Sequence, residues 1–195
     1  MFTIIPCAAG CGRAAITGSQ LCAIHAVNPA TEVSRVVEWI QNRKTIKDLN
    51  APGLHFEQVD FSNHHFYGCN FKGASFSSCT FTGVFMQMVF FDLADFVDCT
   101  FTNSDLNFLS FAGSRIRNTA FQMSEMTTIN YGGALMLDCT FTNSNLYNSR
   151  FIDTDIHCSH FIDCNITRVS FIKSRQVEVS FEQSNTGEAI FTLVE

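Results

Sequence analysis

From Leu54 to the C-terminus a large apolar residue recurs at every fifth position. The series opens Phe56, Phe61, Phe66, Phe71, Phe76, Phe81, Met86 and runs to Phe191. Of its 28 positions, 26 are apolar or aromatic, and only Gln176 and Thr186 depart from the rule. A period of five matches neither the 3.6 of a helix nor the 2 of a flat strand. A fixed period held this long demands a repeat architecture, in which each unit buries its apolar side chain against its neighbours.

Charge and composition then remove several classes of function. Residues 51–195 carry seven Lys and Arg against fifteen Asp and Glu, a net of −8, which is a poor surface for wrapping nucleic acid. The longest apolar runs fall well short of the roughly 18 residues of a membrane span. Pro6 interrupts a short apolar start that has no basic flank, so a signal peptide is not expected. Nine cysteines in a chain of this kind argue for a reducing, cytoplasmic setting, with thiols or bound metal in place of disulfides.

The residue two before each large apolar one is small or β-branched, as in Ala74, Cys79, Val84, Ala94, Ser104 and Thr119. The residue just before it is often Asp or Asn, as in Asn70, Asp95, Asp105 and Asn145, and the one after it is often Ser or Thr. Over residues 54–195 this pattern resembles the pentapeptide-repeat family. The resemblance implies an all-β solenoid, a right-handed quadrilateral β-helix of about seven coils with four pentapeptides in each. The large and small residues would point inward, and the others would face water.

Sorting the large positions by twenties supports that coil length. One side reads Phe61, Phe81, Phe101, Phe121, Phe141, Phe161, Phe181, and the opposite side reads Phe71, Phe91, Phe111, Tyr131, Phe151, Phe171, Phe191. The two sides between them pass from Phe to Met, Leu and Ile. Two facing aromatic stacks with aliphatic filler can be packed to protein density, whereas four rings in every layer cannot. The register also places Cys69, Cys79, Cys99, Cys139 and Cys164 at the small inward position, where a thiol packs as a small hydrophobe.

Residues 1–28 read as a separate small module. Cys7, Cys11, Cys22 and His25 form two close pairs joined by a loop, the spacing a tetrahedral structural Zn2+ site requires. The segment has too few apolar residues for its own core, so metal would supply the folding energy. It also resembles small three-Cys, one-His zinc modules. Asn28-Pro29 then signals a helix start, and residues 29–50 are predicted as one helix that caps the first coil, with the repeat domain occupying residues 51–195. Val33, Val36, Val37 and Ile40 mark its apolar face, while Arg35, Arg43, Lys44 and Lys47 give the other side a positive cast.

One stretch breaks the polar exterior: the register turns Phe85, Met88, Phe90 and Leu93 outward, and Phe108 stacks one coil above Met88. A contiguous apolar patch marks a contact, either with the N-terminal module or with another chain. No Ser/His/acid set, phosphate loop or carboxylate cleft is apparent, so no enzyme and no small-molecule substrate is expected. The expected function is a non-enzymatic scaffold that binds a protein partner or self-associates. The apolar tail with Ile190, Leu193 and Val194 suggests end-to-end pairing as one form of the latter. Two alternatives stand beside it. Quinolone-resistance members of the family imitate duplex DNA and bind DNA gyrase; the acidic rod is compatible with that, although Arg115, Arg117, Arg150 and Arg168 interleave its acids. The other is nucleic-acid binding through the zinc module and the basic helix.

Overall fold

Each group of five residues forms one side of a square coil. On three of the four sides most groups run three residues as a strand, such as His55–Glu57 or Thr80–Thr82, with the central side chain buried. The chain then turns at the residue two beyond the large apolar one, where φ is near +55°, as in Asp98, Asn143 and Asp153. Left-handed backbone disfavours most L side chains, which explains the Asn, Asp and Gly at this position. The computed structural model describes residues 4–192. Leu193 and Val194, part of the apolar tail noted in the sequence, lie outside the described residues.

Parallel pairing links each residue to the one twenty positions on, as in Phe56 to Phe76 and Phe121 to Phe141. The result is a β-solenoid of about seven coils with one helix near the N-terminus. Three sides are continuous sheets of five, seven and five strands, and the fourth is a column of single bridges from Asn50 through Phe90 to Ile190. Inside, the two aromatic sides stack face to face: Phe81 and Phe101 lie 4.3 Å apart with rings within 1° of parallel, and Tyr131 and Phe151 lie 4.5 Å apart. The two stacks meet edge to face, as Phe161 and Phe171 do at 86°. Coil rise and ring-stacking distance coincide, so backbone pairing and aromatic packing reinforce each other.

The small inward positions are buried and satisfied. Ser104 Oγ donates to the carbonyls of Phe81 and Thr102, and Cys139 Sγ to those of Ile116 and Leu137. Cys69, Cys79, Cys99, Cys139 and Cys164 are all buried here.

The helix departs from its sequence expectation. α1 spans Pro29–Gln41, with Asn28 Oδ1 accepting from the amides of Ala30 and Thr31, and it stops well short of residue 50. The strand β1 (Thr45–Lys47) follows, pairing with His65–Tyr67. Ile46, Leu49 and Ala51 are therefore core residues of the first coil, and the fivefold ladder starts at Ile46, ten residues before Phe56. Burial of these three in the solenoid outweighs the helical propensity of the segment. Val36 and Ile40 of α1 pack into the same core, with Val33, Val37 and Trp39 partly buried beside them, so the helix lies against the first coil.

Candidate metal centre and apolar surface

The N-terminal module is held by a few backbone bonds that bring its four ligand residues together. Pro6 bridges antiparallel to Ala14, the Cys7 amide donates to the Arg13 carbonyl (2.8 Å), and the Ala8 amide to that of Gln20 (2.9 Å). Gly10 and Gly12 take φ of 71° and 74° on either side of Cys11, a turn that other residues resist. The amides of His25 and Ala26 both donate to the Cys22 carbonyl, which folds the second pair into one turn.

The donor atoms converge. Cys11 and Cys22 sulfurs are 3.7 Å apart, and His25 Nδ1 is 3.5 Å from Cys7 Sγ and 3.6 Å from Cys22 Sγ. All four ligand atoms lie within 4.8 Å of one another, a cluster that can hold a metal ion. The Cys22 amide points at Cys7 Sγ (3.3 Å) and lowers that thiol to about 6. The Arg13 amide lowers Cys11, whereas burial raises Cys22. The neighbouring Cys7 and Cys11 thiols raise His25. Amides aimed at sulfur favour the thiolate, the form that binds metal. By contrast the outward Cys158 is hydrogen-bonded to Glu178 (3.4 Å), which raises its pKa and leaves it a poor nucleophile.

Of the five residues in the outward apolar stretch, Met88, Leu93 and Phe108 are 51%, 62% and 56% exposed. Phe85 and Phe90 are half-buried, and the Phe85 ring packs 5.2 Å from Tyr67. Met88 and Phe108 occupy one corner on successive coils, and Leu93 the next corner of the chain. Among the described residues, the N-terminal module leaves Met88, Leu93 and Phe108 exposed. It sits on the first coil, with Ala23 against Gly53 and an apolar groove between Ile24, Pro52 and Gly73. Met123, 52% exposed at another corner, and Leu135 and Leu137, flanking Met136, are further outward apolar residues that the same register would have identified.

Pentapeptide repeats match residues 66–108 in nine copies and residues 134–171 in eight. Both stretches carry pentapeptide repeats. Neither match reaches the module at residues 4–28 or the helix α1. No curated protein matches the chain. Among solved structures, the plasmid-mediated fluoroquinolone resistance protein QnrB1 is similar over 75% of this chain and 80% of its own, at 18% identity and a TM-score of 0.49. HetL, a pentapeptide repeat protein involved in heterocyst differentiation regulation in the cyanobacterium Nostoc sp. strain PCC 7120, is similar over 83% and 96%, at 6% identity and a TM-score of 0.44. Among the described residues, no helix is long and apolar enough to cross a membrane.

Proposed function

We propose that this protein is a non-catalytic interaction protein that docks a protein partner on Met88, Leu93 and Phe108, with Phe85 and Phe90 at their side. One observation carries the reading. Every corner of the solenoid from Asp48 to Gln183 takes left-handed backbone, where an L side chain costs about 1–2 kcal/mol. Most corners hold Asn, Asp, Gly or another polar residue, yet three neighbouring ones hold Met, Leu and Phe, each more than half exposed. Backbone and solvation both oppose these residues, so folding does not account for them, whereas a contact surface does. The coil interior is filled by the ring stacks, which favours docking on a face over chemistry in a cleft.

The Cys7, Cys11, Cys22 and His25 cluster is read as a structural zinc site. Zinc–sulfur bonds of about 2.3 Å and a zinc–nitrogen bond of about 2.0 Å give tetrahedral edges of about 3.8 Å between sulfurs and about 3.5 Å from sulfur to nitrogen. The 3.7, 3.5 and 3.6 Å separations fit those edges. Bound zinc would supply cross-linking of the loop, with no open position for chemistry.

DNA gyrase is the less supported partner. Mimicry of duplex DNA needs a continuous acidic stripe, but Asp95 lies 3.5 Å from both Arg115 and Arg117, and Asp155 sits beside His157 and Arg175. The reading as a nucleic-acid binder is weakened in the same way. Arg35 pairs with Glu32 at 2.6 Å, Arg43 stacks 4.4 Å over Trp39, and Lys44 donates to the Asn63 carbonyl.

The test uses the full chain and a Met88→Ser, Leu93→Asn, Phe108→Asn variant as bait, with sedimentation velocity on both. A protein retained by the first and lost by the second, or a dimer of the first that the second cannot form, is the expected result. Equal retention by both, with the unmodified chain monomeric, would refute the docking surface. Elemental analysis should find one zinc per chain, absent in Cys11→Ser, and a metal-free native protein would end the zinc reading. Supercoiling by gyrase should be unaffected.

A further inference from the structure

The first coil of any β-helix has a problem that the inner coils lack. Its amides and carbonyls on the outer side have no preceding coil to pair with, and its core is open to water. Inner coils show what is missing. The Asn70 amide donates to the Leu49 carbonyl of the coil before, and the Asn70 carbonyl accepts from Ala51 of that coil. At the equivalent place one coil earlier, Asn50 has no such neighbour in the repeat.

Thr17 of the N-terminal module takes that place. Its amide donates to the Asn50 carbonyl at 2.8 Å, and its Oγ1 accepts from the Asn50 amide at 2.7 Å. One threonine thus supplies both the donor and the acceptor that a preceding coil would offer. Next to it, Ile16 is 1% exposed and belongs to the same core cluster as Ile46, Leu49 and Ala51, so it closes the end of the apolar interior. Two further bonds seal the adjoining side, from Gln41 Nε2 to the Asp60 carbonyl (2.7 Å) and from Lys44 to that of Asn63.

Ile16 and Thr17 lie at the tip of the loop between Cys11 and Cys22. That loop has few internal bonds, among them Ile16 amide to Leu21 carbonyl and Ser19 amide to Ile16 carbonyl. Its two stems carry sulfurs 3.7 Å apart. We infer that the metal ion is a latch: by tying Cys11 to Cys22 it holds Ile16 and Thr17 as a surrogate coil on the Asn50 edge, and its removal opens that edge. The inference rests on the zinc reading above and adds to it what the ion controls. Metal occupancy then regulates whether the first coil presents a covered or a free parallel edge, while the rest of the solenoid stays folded.

The experiment is hydrogen exchange on the full chain, with and without EDTA under reducing conditions, and zinc content measured in parallel. Removal of zinc should raise exchange of the Asn50 amide by about tenfold or more, the worth of a lost hydrogen bond and its packing. Mid-rod amides such as Tyr131 and Phe151, bonded to Arg150 and Ser170, should not change. Thr17→Val, which keeps all four ligands, should retain zinc and still raise Asn50 exchange. If zinc leaves and Asn50 exchange does not change, the latch is refuted while the zinc site stands. A uniform rise along the rod would also refute it, because the ion would then be a global folding factor. Absence of zinc from the native protein would remove both readings together.

Discussion

Tyr131 is the single hydroxylated ring in its stack, sandwiched between Phe111 and Phe151, and its Oη is buried with no hydrogen-bond partner among the described residues. Burial pushes its phenol well above the ordinary value, so it stays protonated and neutral. A buried hydroxyl without a partner costs about 1–3 kcal/mol. Tyr131→Phe should therefore raise the free energy of unfolding by an amount in that range, read from urea denaturation, and a loss of stability would show that the hydroxyl is partnered. Phe108 is unfavourable for a different reason, because it combines an exposed ring with φ of 56°. Phe108→Asn should stabilise the isolated chain by about 1 kcal/mol while weakening partner binding. Opposite signs in the two measurements are the signature of a residue kept for contact; destabilisation would mean that the ring supports the fold.

At the scale of elements, legibility depended on how local the cause was. The start of α1 could be read from Asn28-Pro29, because an N-cap and a first-turn proline act within one turn. Asn28→Ala should cost about 1 kcal/mol of stability at the N-terminal end, seen as earlier loss of native emission from Trp39, the single tryptophan. The end of α1 could not be read that way. Ile46 and Leu49 continue an apolar helical face as well as they begin a solenoid, and only their packing against Phe66 and its neighbours decides between the two. The cluster that can hold a metal was legible as residue types at a spacing, and the outward turn of Phe85, Met88, Phe90, Leu93 and Phe108 followed from the register alone. What Thr17 does was hidden, because its partner Asn50 lies 33 residues away and nothing in either residue marks the pair. The fivefold ladder was easiest to read, since each coil repeats the same local demand for one large and one small inward side chain.

Taken as a whole, the molecule is nearly one-dimensional, since each coil contacts only its neighbours and stability is a sum along the axis. The two ends differ. Ile16, Val36 and Ile40 bury the first coil, whereas Gln176 replaces an apolar residue in the last, Phe181 is only partly buried, and Phe191 is 36% exposed. Opening should therefore begin at residues 175–191. Their amides are expected to exchange ahead of those in coils around Phe121, and simultaneous exchange at both places would contradict the picture.

The twenty-residue register has a geometric corollary. Five residues advance the chain by a quarter turn and about 1.2 Å, a quarter of the strand spacing. Inserting or deleting one pentapeptide between Ala51 and Val84 would leave every inward position occupied by the same kind of side chain. It would nevertheless swing the apolar corners by 90° relative to the Cys7, Cys11, Cys22 and His25 cluster. The rod is thus a stepped dial, on which the angle between the apolar corners and the N-terminal cluster can be reset in four discrete positions while each inward position keeps one large or one small side chain.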